Sequence, residues 1–443
     1  MQQRWSNCRA CTPRSRIDSR ESASRLERAR SSNAQRWRSV AFIVIAALAL
    51  GACTRNPPAA TADLSYQSTL IEQLIDAKPG QVIEIPAGRH VFDRSLTLRI
   101  DDVTLRGAGM DKTVLTFAGQ KSGAEGLLVN ASGFTLENLA IEDTKGDAVK
   151  INEGERITLR AVRIAWTGGP KTTNGAYGLY PVRTQKVLIE DCVVRGASDA
   201  GIYVGQSTDI IVRRNRVEYN VAGIEIENSR RADVYDNEVT RNTGGVLVFN
   251  MPNLPEAGAS TRVFNNRIYE NNTANFAAKG TAVASVPAGS GVVINANDQV
   301  EIFDNTLRDN ATAHIIISSY FSTGYMNSYS VAPGFDPYPE AIHVHSNRYT
   351  GGGDSPDGLD LKALKLAMMG LGGRLPPVLW DGYADPKKLV NGRLPPERAL
   401  CVRDAGAVLN ADGPGKYRNP TLDERSFRCE LPPLAAVAWD PAG

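Results

Sequence analysis

The sequence predicts an all-β protein that folds as a single-stranded right-handed parallel β-helix, with an N-terminal capping helix and an irregular C-terminal cap. Three observations predict this solenoid. A motif with a frequent Asn recurs along the chain, a second motif of glycine and strand residues follows each copy, and the 443 residues include 40 Gly and 24 Pro. Repeats of this kind are typical of stacked coils.

The first motif has an inward-facing slot, followed two residues later by an aliphatic residue. It reads VRRNRVEYN at residues 212–220 and VYDNEVTRN at residues 234–242. Three pairs of neighbouring slots are 22 or 23 residues apart, and we interpret the longer steps as that period plus an insertion. The slots are Leu139, Val162, Cys192, Asn215, Asn237, Asn266, Asn305 and Asn347.

Asparagine suits a slot at a turn because it tolerates left-handed φ and its side-chain amide both donates and accepts hydrogen bonds. Stacked side chains of this kind would bond to the coils above and below. We therefore predict a structural ladder of Asn215, Asn237, Asn266, Asn305 and Asn347. The Leu, Val and Cys slots predict an apolar stack nearer the N-terminus.

The second motif is a glycine followed by three strand residues, as in GIYV at 201–204, GIEI at 223–226 and GVLV at 245–248. Strand alternation puts Ile202 and Val204 inside and Tyr203 outside. The outward row is predicted to be Lys150, Tyr180, Tyr203, Glu225, Leu247, Val293 and Ile316. Its apolar half predicts cover by long loops or by a partner protein.

Both ends of the solenoid carry helical patterns. Residues 70–75 (LIEQLI) form an amphipathic segment that would cover the first exposed strand edge, and residues 359–369 precede a Pro-rich extended chain. We predict a linker at 54–64, the β-helix at 65–349 and a C-terminal capping segment at 350–443.

The N-terminal region has the pattern of an export signal. An apolar run at 40–50 follows basic residues and is too short to span a bilayer. Residues 50–53 (LGAC) resemble a lipobox, which implies lipidation of Cys53, and Thr54 after it implies the outer membrane. Residues 1–53 are therefore predicted to be a lipoprotein signal with an over-long basic leader. An uncleaved anchor or ordinary secretory signal is the alternative.

Charge and cysteine usage limit the partners. Residues 1–53 contain ten Arg and three acids, so the remainder has 50 − 10 = 40 basic and 48 − 3 = 45 acidic residues. This mildly acidic body argues against nucleic acid as a partner.

Cys401 and Cys429 could form a disulfide in an oxidising compartment, and Cys192 is expected to be a buried free thiol.

Insertions interrupt the period at 168–176, 252–260, 272–289 and 318–340. Long loops from neighbouring coils could wall a groove. The last insertion contains Tyr320, Phe321 and Tyr325, which either stack on sugar faces or simply cover the last coils.

The polar half of the outward row holds the candidate site. Asp199, Tyr203, Glu225 and Glu227 are candidates for substrate binding, together with the three aromatic residues of the last insertion. For catalysis, Tyr180 or Lys150 could abstract a proton while Arg183 neutralises a carboxylate. An ordinary solvated sheet face is the alternative. The four His have no metal-ligand spacing, so no metal and no cofactor are predicted, with calcium left open.

The Asn-slot coils resemble the right-handed β-helix class that includes pectate lyases, rhamnogalacturonases and alginate C5-epimerases. More closely, residues 70–347 are similar to exported parallel β-helix repeat proteins of unassigned function, some of them lipoproteins. That resemblance implies action beside another exported protein. Residues 177–182 (YGLYPV) keep the Tyr-Gly and Pro of the epimerase Asp-Pro-His turn, but Tyr180 replaces its Asp and Val182 its His.

Three functional hypotheses follow. The first is a cell-envelope lipoprotein, lipid-anchored and facing the periplasm or surface, whose groove binds polysaccharide or a co-exported envelope protein. The second is a lyase or C5-epimerase acting on acidic polysaccharide. The third is a purely structural part of an envelope complex. Fold alone does not decide among them.

Overall fold

The computed structural model describes residues 64–439. The predicted signal with Cys53, and the linker up to residue 63, lie outside the described residues. Within 64–439 the chain contains helices α1 (Ser65–Ile75) and α2 (Leu359–Met369) and 29 strands. Both helices fall where the sequence pattern places them. No helix in this part of the chain is long and apolar enough to cross a membrane.

The strands, numbered β1 to β29 in chain order, form one continuous hydrogen-bonded sheet. Within it they stack in three rows, A, B and C, which the coils visit in that order as far as β27. Three long strands turn corners and belong to more than one row: β7 (Thr135–Glu142) to A and B, β8 (Val149–Ala165) to C, A and B, and β9 (Tyr177–Glu190) to C and A.

The remaining strands of row A are β1 (Val82–Glu84), β4 (Thr104–Arg106), β12 (Thr208–Arg213), β15 (Arg230–Tyr235), β18 (Ala259–Phe264), β21 (Asp298–Phe303), β24 (Ile342–His345) and β27 (Leu400–Val402). Those of row B are β2 (Gly88–Val91), β5 (Thr113–Thr116), β10 (Val193–Arg195), β13 (Arg216–Glu218), β16 (Glu238–Thr240), β19 (Arg267–Tyr269), β22 (Thr306–Arg308) and β25 (Arg348–Thr350). Those of row C are β3 (Arg94–Leu98), β6 (Ser122–Val129), β11 (Ala200–Gly205), β14 (Ala222–Glu227), β17 (Gly244–Phe249), β20 (Ser290–Asn295), β23 (Ala313–Ser318), β26 (Val378–Trp380) and β28 (Val408–Asn410), with β29 (Thr421–Asp423) antiparallel to β28.

Aliphatic side chains of equivalent strands stack inside the coils. Ile202, Ile224 and Val246 are in parallel register and fully buried. Each such side chain contributes about 1.5–3 kcal/mol by leaving water, and each coil's backbone hydrogen bonds are completed by its neighbours. The predicted parallel β-helix is thereby confirmed.

The predicted Asn side chains line the corner between rows A and B. Asn237 Nδ2 donates to Asn266 Oδ1 at 3.0 Å and to the Val212 carbonyl at 2.9 Å, while Asn237 Oδ1 accepts from the backbone and side chain of Asn215. The same bonds link Asn266 to Asn305 and Asn305 to Asn347. These five residues therefore form one ladder.

The left-handed φ at this corner belongs to the residue before each ladder Asn rather than to the Asn itself. Arg214 and Asp236 have φ of 55°, and Asp304 has φ of 54°. The prediction that Asn is favoured at the slot because it tolerates left-handed φ is therefore wrong. The slot selects Asn for its amide, which satisfies buried backbone groups on adjacent coils.

A second ladder lines the corner between rows B and C. Its members, the last residues of the same motif, are Asn220, Asn242, Asn271 and Asn310. The Nδ2–Oδ1 distances along it are 3.0, 3.0 and 3.1 Å. The A–B and B–C corners are thus each held by a ladder of buried amides.

Helix α1 covers the N-terminal end of the coils. Leu70 and Leu74 enter the main core, and Gln67 exchanges two hydrogen bonds with Asp93, one from its Nε2 and one to its Oε1. The first strands consequently have a cover on the side where no earlier coil pairs with them.

Parallel pairing continues beyond residue 349, into the segment predicted to be an irregular cap. Strand β26 pairs with β23, β27 with β24 and β28 with β26. The residues between these short strands include α2, and they interrupt the repeat period so that it is not visible in the sequence. A disulfide joins Cys401 of β27 to Cys429, and Cys192 is a buried free thiol.

Candidate functional site

The outward face of row C carries the predicted row of side chains. Lys150 pairs in register with Tyr180, and Tyr203 with Glu225. Glu225 pairs with Leu247 on the next coil, and the register then continues through Val293 to Ile316. Parallel coils one period apart therefore place these residues in a single file, as the sequence predicts.

Three carboxyl groups gather in the middle of this face. Glu225 and Glu227 alternate with the core residues Ile224 and Ile226 on β14, so both point outward. Asp199 immediately precedes β11 on the previous coil. Glu225 is only 1% exposed and Asp199 8%, which is unusual for acids on the outside of a sheet.

Burial keeps these carboxyl groups protonated to unusually high pH. It raises the pKa of Glu227 to about 7 and, helped by the charge of Glu227, that of Asp199 to about 8. The pKa of Glu225 is also raised by burial and by its two acidic neighbours. Removal from water disfavours the charged form of an acid, and like charges add to this effect. The cluster can therefore hold and release protons near neutral pH.

One oxygen in this cluster lacks a hydrogen-bond partner. Tyr203 donates its phenol to Glu227 Oε1 at 2.5 Å, whereas Glu225 Oε2 is buried with none. Buried polar atoms are nearly always satisfied, so an orphan in a cavity marks a place for a ligand or water.

Three tyrosines border the carboxyl groups. The ring centroids of Tyr177, Tyr180 and Tyr203 are 4.5 to 4.9 Å apart, and Tyr180 meets Tyr203 edge-on. Burial raises the pKa of Tyr180 to about 12. These phenols consequently act as neutral hydrogen-bonding and apolar surfaces at neutral pH.

The long loops wall the site into a partly enclosed cavity of about 200 Å³. Three of the four predicted insertions contribute, those at 252–260, 272–289 and 318–340. The insertion at 168–176 does not line it. The lining residues are Tyr177, Asp199, Glu225, Glu227, Met251, Asn253, Leu254, Thr281, Ala282, Val283 and Tyr329.

The apolar half of the row is covered by the loop at 272–289. Val283 and Val286 pack on Leu247 and Val293, both of which are nearly inaccessible. A long loop of the chain itself, rather than a partner protein, therefore covers this apolar half.

The predicted catalytic side chains do not converge on the cavity. Lys150 Nζ lies 5.0 Å from the centroid of the Tyr180 ring. The half-exposed Arg183 side chain pairs with Glu153 at 3.1 Å and donates to Asn152. None of Lys150, Tyr180 and Arg183 lines the cavity. Arg183 lies at a strand bend and has a left-handed φ of 56°.

Some aromatic residues of the insertion at 318–340 pack within the loop, and another lines the cavity. Tyr320 and Tyr325 are buried within the loop, and Tyr325 donates to Asn295 Oδ1 at 3.0 Å. Phe321 is 37% exposed and lies beside Tyr338 and Tyr383. None of these three predicted binding residues lines the cavity, and Tyr329 from the same loop does. The inserted loop has no sequence period, so the sequence could not predict which of its aromatic residues lines the cavity.

Two other clusters could hold a metal ion. The potential ligand atoms of Glu301, His343 and His345 lie within 4.8 Å of one another, as do those of a group formed by Asp298, Asp336 and Glu340. Sequence spacing did not indicate the first cluster, since His343 and Glu301 are 42 residues apart and meet only through coil register.

Comparison with known families identifies the repeat region. The model of the right handed beta helix region matches residues 100–255 and 172–328, which together extend over more than half of the 443 residues. No curated protein sequence matches the chain.

Several solved structures are similar at low identity. The Azotobacter vinelandii mannuronan C-5 epimerase AlgE4 A-module is 18% identical, with 67% of this chain and 86% of that chain covered and a TM-score of 0.45. The DFA-IIIase of Arthrobacter chlorophenolicus A6 in complex with DFA-III is 13% identical, with coverage of 72% and 87% and a TM-score of 0.43. The family match, together with the three stacked rows, establishes that the chain belongs to the right handed beta helix family.

Proposed function

We propose that this protein binds a neutral carbohydrate in the acidic cavity and hydrolyses a glycosidic bond there. The observation that carries the proposal is the unpartnered oxygen of Glu225, which borders a partly enclosed cavity lined by two further carboxyl groups. Glycoside hydrolysis requires a protonated carboxyl group as acid and a second carboxyl group as base or nucleophile.

The three acids have the protonation states that such a pair needs. With pKa values near 7 and 8, Glu227 and Asp199 retain protons at a pH where an ordinary carboxyl group is ionised. Their proximity makes loss of the first proton oppose loss of the next, so acid and base forms coexist. Tyr203 holds Glu227 through a hydrogen bond, and Tyr177 and Tyr329 offer ring surfaces to a sugar.

The same geometry disfavours a lyase or epimerase acting on acidic polysaccharide. A uronate carboxylate would enter a cavity whose titratable lining groups are acids and tyrosines, while Lys150 and Arg183 lie outside the lining. Tyr180, the candidate base, keeps its proton because its pKa is about 12.

The test is a panel of neutral glycans (β-glucan, xylan, mannan and fructan) and acidic glycans (alginate and pectate), assayed for new reducing ends and for unsaturated products. We expect reducing ends from a neutral glycan. Glu225→Gln and Asp199→Asn should each lower the rate about 100-fold or more. Asp236→Asn, which changes an exposed acid at a left-handed corner, is the matched control and should retain the rate.

Two results would contradict this proposal. One is unsaturated product from alginate or pectate, which would restore the lyase hypothesis. The other has two parts. The wild-type chain binds no carbohydrate in calorimetry, and the Glu225→Gln variant still binds a co-exported protein partner fully.

We also propose that the chain is exported and anchored to the cell envelope through a lipid on Cys53. The disulfide between Cys401 and Cys429 supports export, because disulfides persist in oxidising compartments. Membrane fractionation and intact mass should find a lipidated chain beginning at Cys53. A Cys53→Ser variant should lose the lipid, and Cys192→Ser should keep it. An unlipidated wild-type chain retaining residues 1–53 would contradict the anchor.

A further inference from the structure

A second group of chemically active side chains lies on row A, outside the acidic cavity. Glu301 of β21 is in register with His343 of β24, and Phe303 is in register with His345. Because strand alternation points Glu301, His343 and His345 to the same outer face, three ligand-bearing side chains meet across one pair of strands.

The three side chains are close enough to share one ion. His345 Nε2 lies 3.1 Å and His343 Nδ1 lies 4.0 Å from Glu301 Oε1. The two imidazole centroids are 4.3 Å apart, and one potential ligand atom from each residue lies within 4.8 Å of the others.

His343 points to an occupant. It is only 6% exposed, yet neither Nδ1 nor Nε2 has a hydrogen-bond partner. A buried imidazole with both nitrogens unsatisfied is costly.

Nearby cations are engaged elsewhere. Arg262 pairs with Asp233 at 2.6 Å and Arg403 with Glu430 at 3.0 Å. The group of Asp298, Asp336 and Glu340 differs in this respect, since Lys388 Nζ lies 2.6 Å from Asp336 and 2.7 Å from Glu340. That acidic group already has a lysine counter-ion, whereas the ion pairs of Glu301 among residues 64–439 are with His343 and His345 alone.

We propose that Glu301, His343 and His345 bind a divalent transition-metal ion of the zinc class. Two imidazole nitrogens and one carboxylate oxygen form a common protein ligand set for such ions, whereas calcium and magnesium prefer oxygen alone. Three protein ligands leave a fourth position open for water or another donor.

The C-terminal segment supports the carboxylate ligand. The Leu434 amide donates to Glu301 Oε2 at 2.9 Å, which leaves Oε1 facing the histidines. Cys401, in register with His343, ties the same segment to row A through its disulfide with Cys429. The bound ion would therefore also fasten the end of the chain, since such supporting hydrogen bonds orient metal ligands.

The test is titration of the untagged, chelator-treated chain with Zn²⁺, and separately with Ca²⁺, by calorimetry. We expect one Zn²⁺ per chain and no comparable Ca²⁺ binding. His345→Gln and Glu301→Gln should weaken Zn²⁺ binding about 100-fold, and His343→Ala should do the same. His90→Gln changes a histidine of the first coils and should leave binding unchanged.

Co²⁺ absorption of the wild-type chain provides a readout that needs no variant to fold. Visible bands of a nitrogen- and oxygen-ligated Co²⁺, displaced by one equivalent of Zn²⁺, would support the site. Absence of Zn²⁺ binding by the wild-type chain would overturn it. So would equal binding by folded His345→Gln and wild type, or loss of binding in the His90→Gln variant alone.

Discussion

The same side-chain type acquires opposite proton affinities on different faces of the β-helix. Glu190 is 3% exposed, and burial acts to raise its pKa, but hydrogen bonds from Arg160, Arg213 and Arg214 outweigh burial and lower it. Glu225 is as deeply buried without any such arginine, and its pKa rises. Placement of arginine thus separates an ion-paired structural acid from a proton-holding one.

The raised pKa values of Asp199 and Glu227 predict how stability depends on pH. Both values lie above those of the unfolded chain, so the folded state binds more protons between about pH 4 and pH 8. This stabilising contribution is complete below that window and is lost as pH rises through it. We expect an Asp199→Asn/Glu227→Gln variant to gain at least about 2 kcal/mol relative to wild type between pH 5 and pH 8 in urea unfolding. A difference that does not change with pH would contradict the assignment.

The ladder predicts a large cost for one amide. In Asn237→Ala, the Asn215 donors and the Val212 carbonyl lose their buried partner. We expect the free energy of unfolding to fall by about 3 kcal/mol. The exposed Asn419→Ala serves as control and should change it by less than about 0.5 kcal/mol. Equal effects of the two substitutions in urea titrations would contradict a role for the ladder.

Helix α1 and the long loops stabilise surfaces that the coil stack leaves open. Helix α1 covers the first strands, and the loop at 272–289 covers the apolar half of the outward row on row C. Uncovered strand edges and apolar patches promote association.

Weakening α1 should expose the first coils. Leu70→Ala removes a fully buried side chain from the main core and should cost about 2–5 kcal/mol. Ile75→Ala, on the same helix but 69% exposed, is the control. Analytical ultracentrifugation should show concentration-dependent association for Leu70→Ala alone. A monomeric Leu70→Ala chain of unchanged stability would mean that α1 does not cover the edge.

The cover over row C predicts a separate effect on binding. Val283→Asp puts a charge against Leu247 and Val293 and should displace the loop that lines the cavity. We expect carbohydrate affinity to fall at least about 10-fold, equivalent to about 1.4 kcal/mol, with circular dichroism unchanged. Leu371→Asp, at a 91% exposed position, should keep wild-type affinity. Unchanged carbohydrate affinity in Val283→Asp would mean that the loop at 272–289 does not contribute to the binding site.

At the scale of the whole molecule, the repeated coil positions could be predicted from the sequence, and the contacts of the inserted loops could not. The 22- and 23-residue steps predicted the Asn ladder and the outward row from Lys150 to Ile316, because register follows from the period. Steps of 39 and 42 residues separate Asn266, Asn305 and Asn347, so the loop residues that close the cavity follow no period. The cluster of Glu301 with His343 and His345 was missed for the same reason.

The most direct measurement of the central claim is a crystal structure of the Glu225→Gln variant with an oligosaccharide that the wild-type chain cleaves. The account predicts a sugar ring between residue 225, Glu227 and Tyr329, with a hydrogen bond to the side chain at 225. A sugar bound elsewhere on the coils, with this cavity filled only by water, would contradict it.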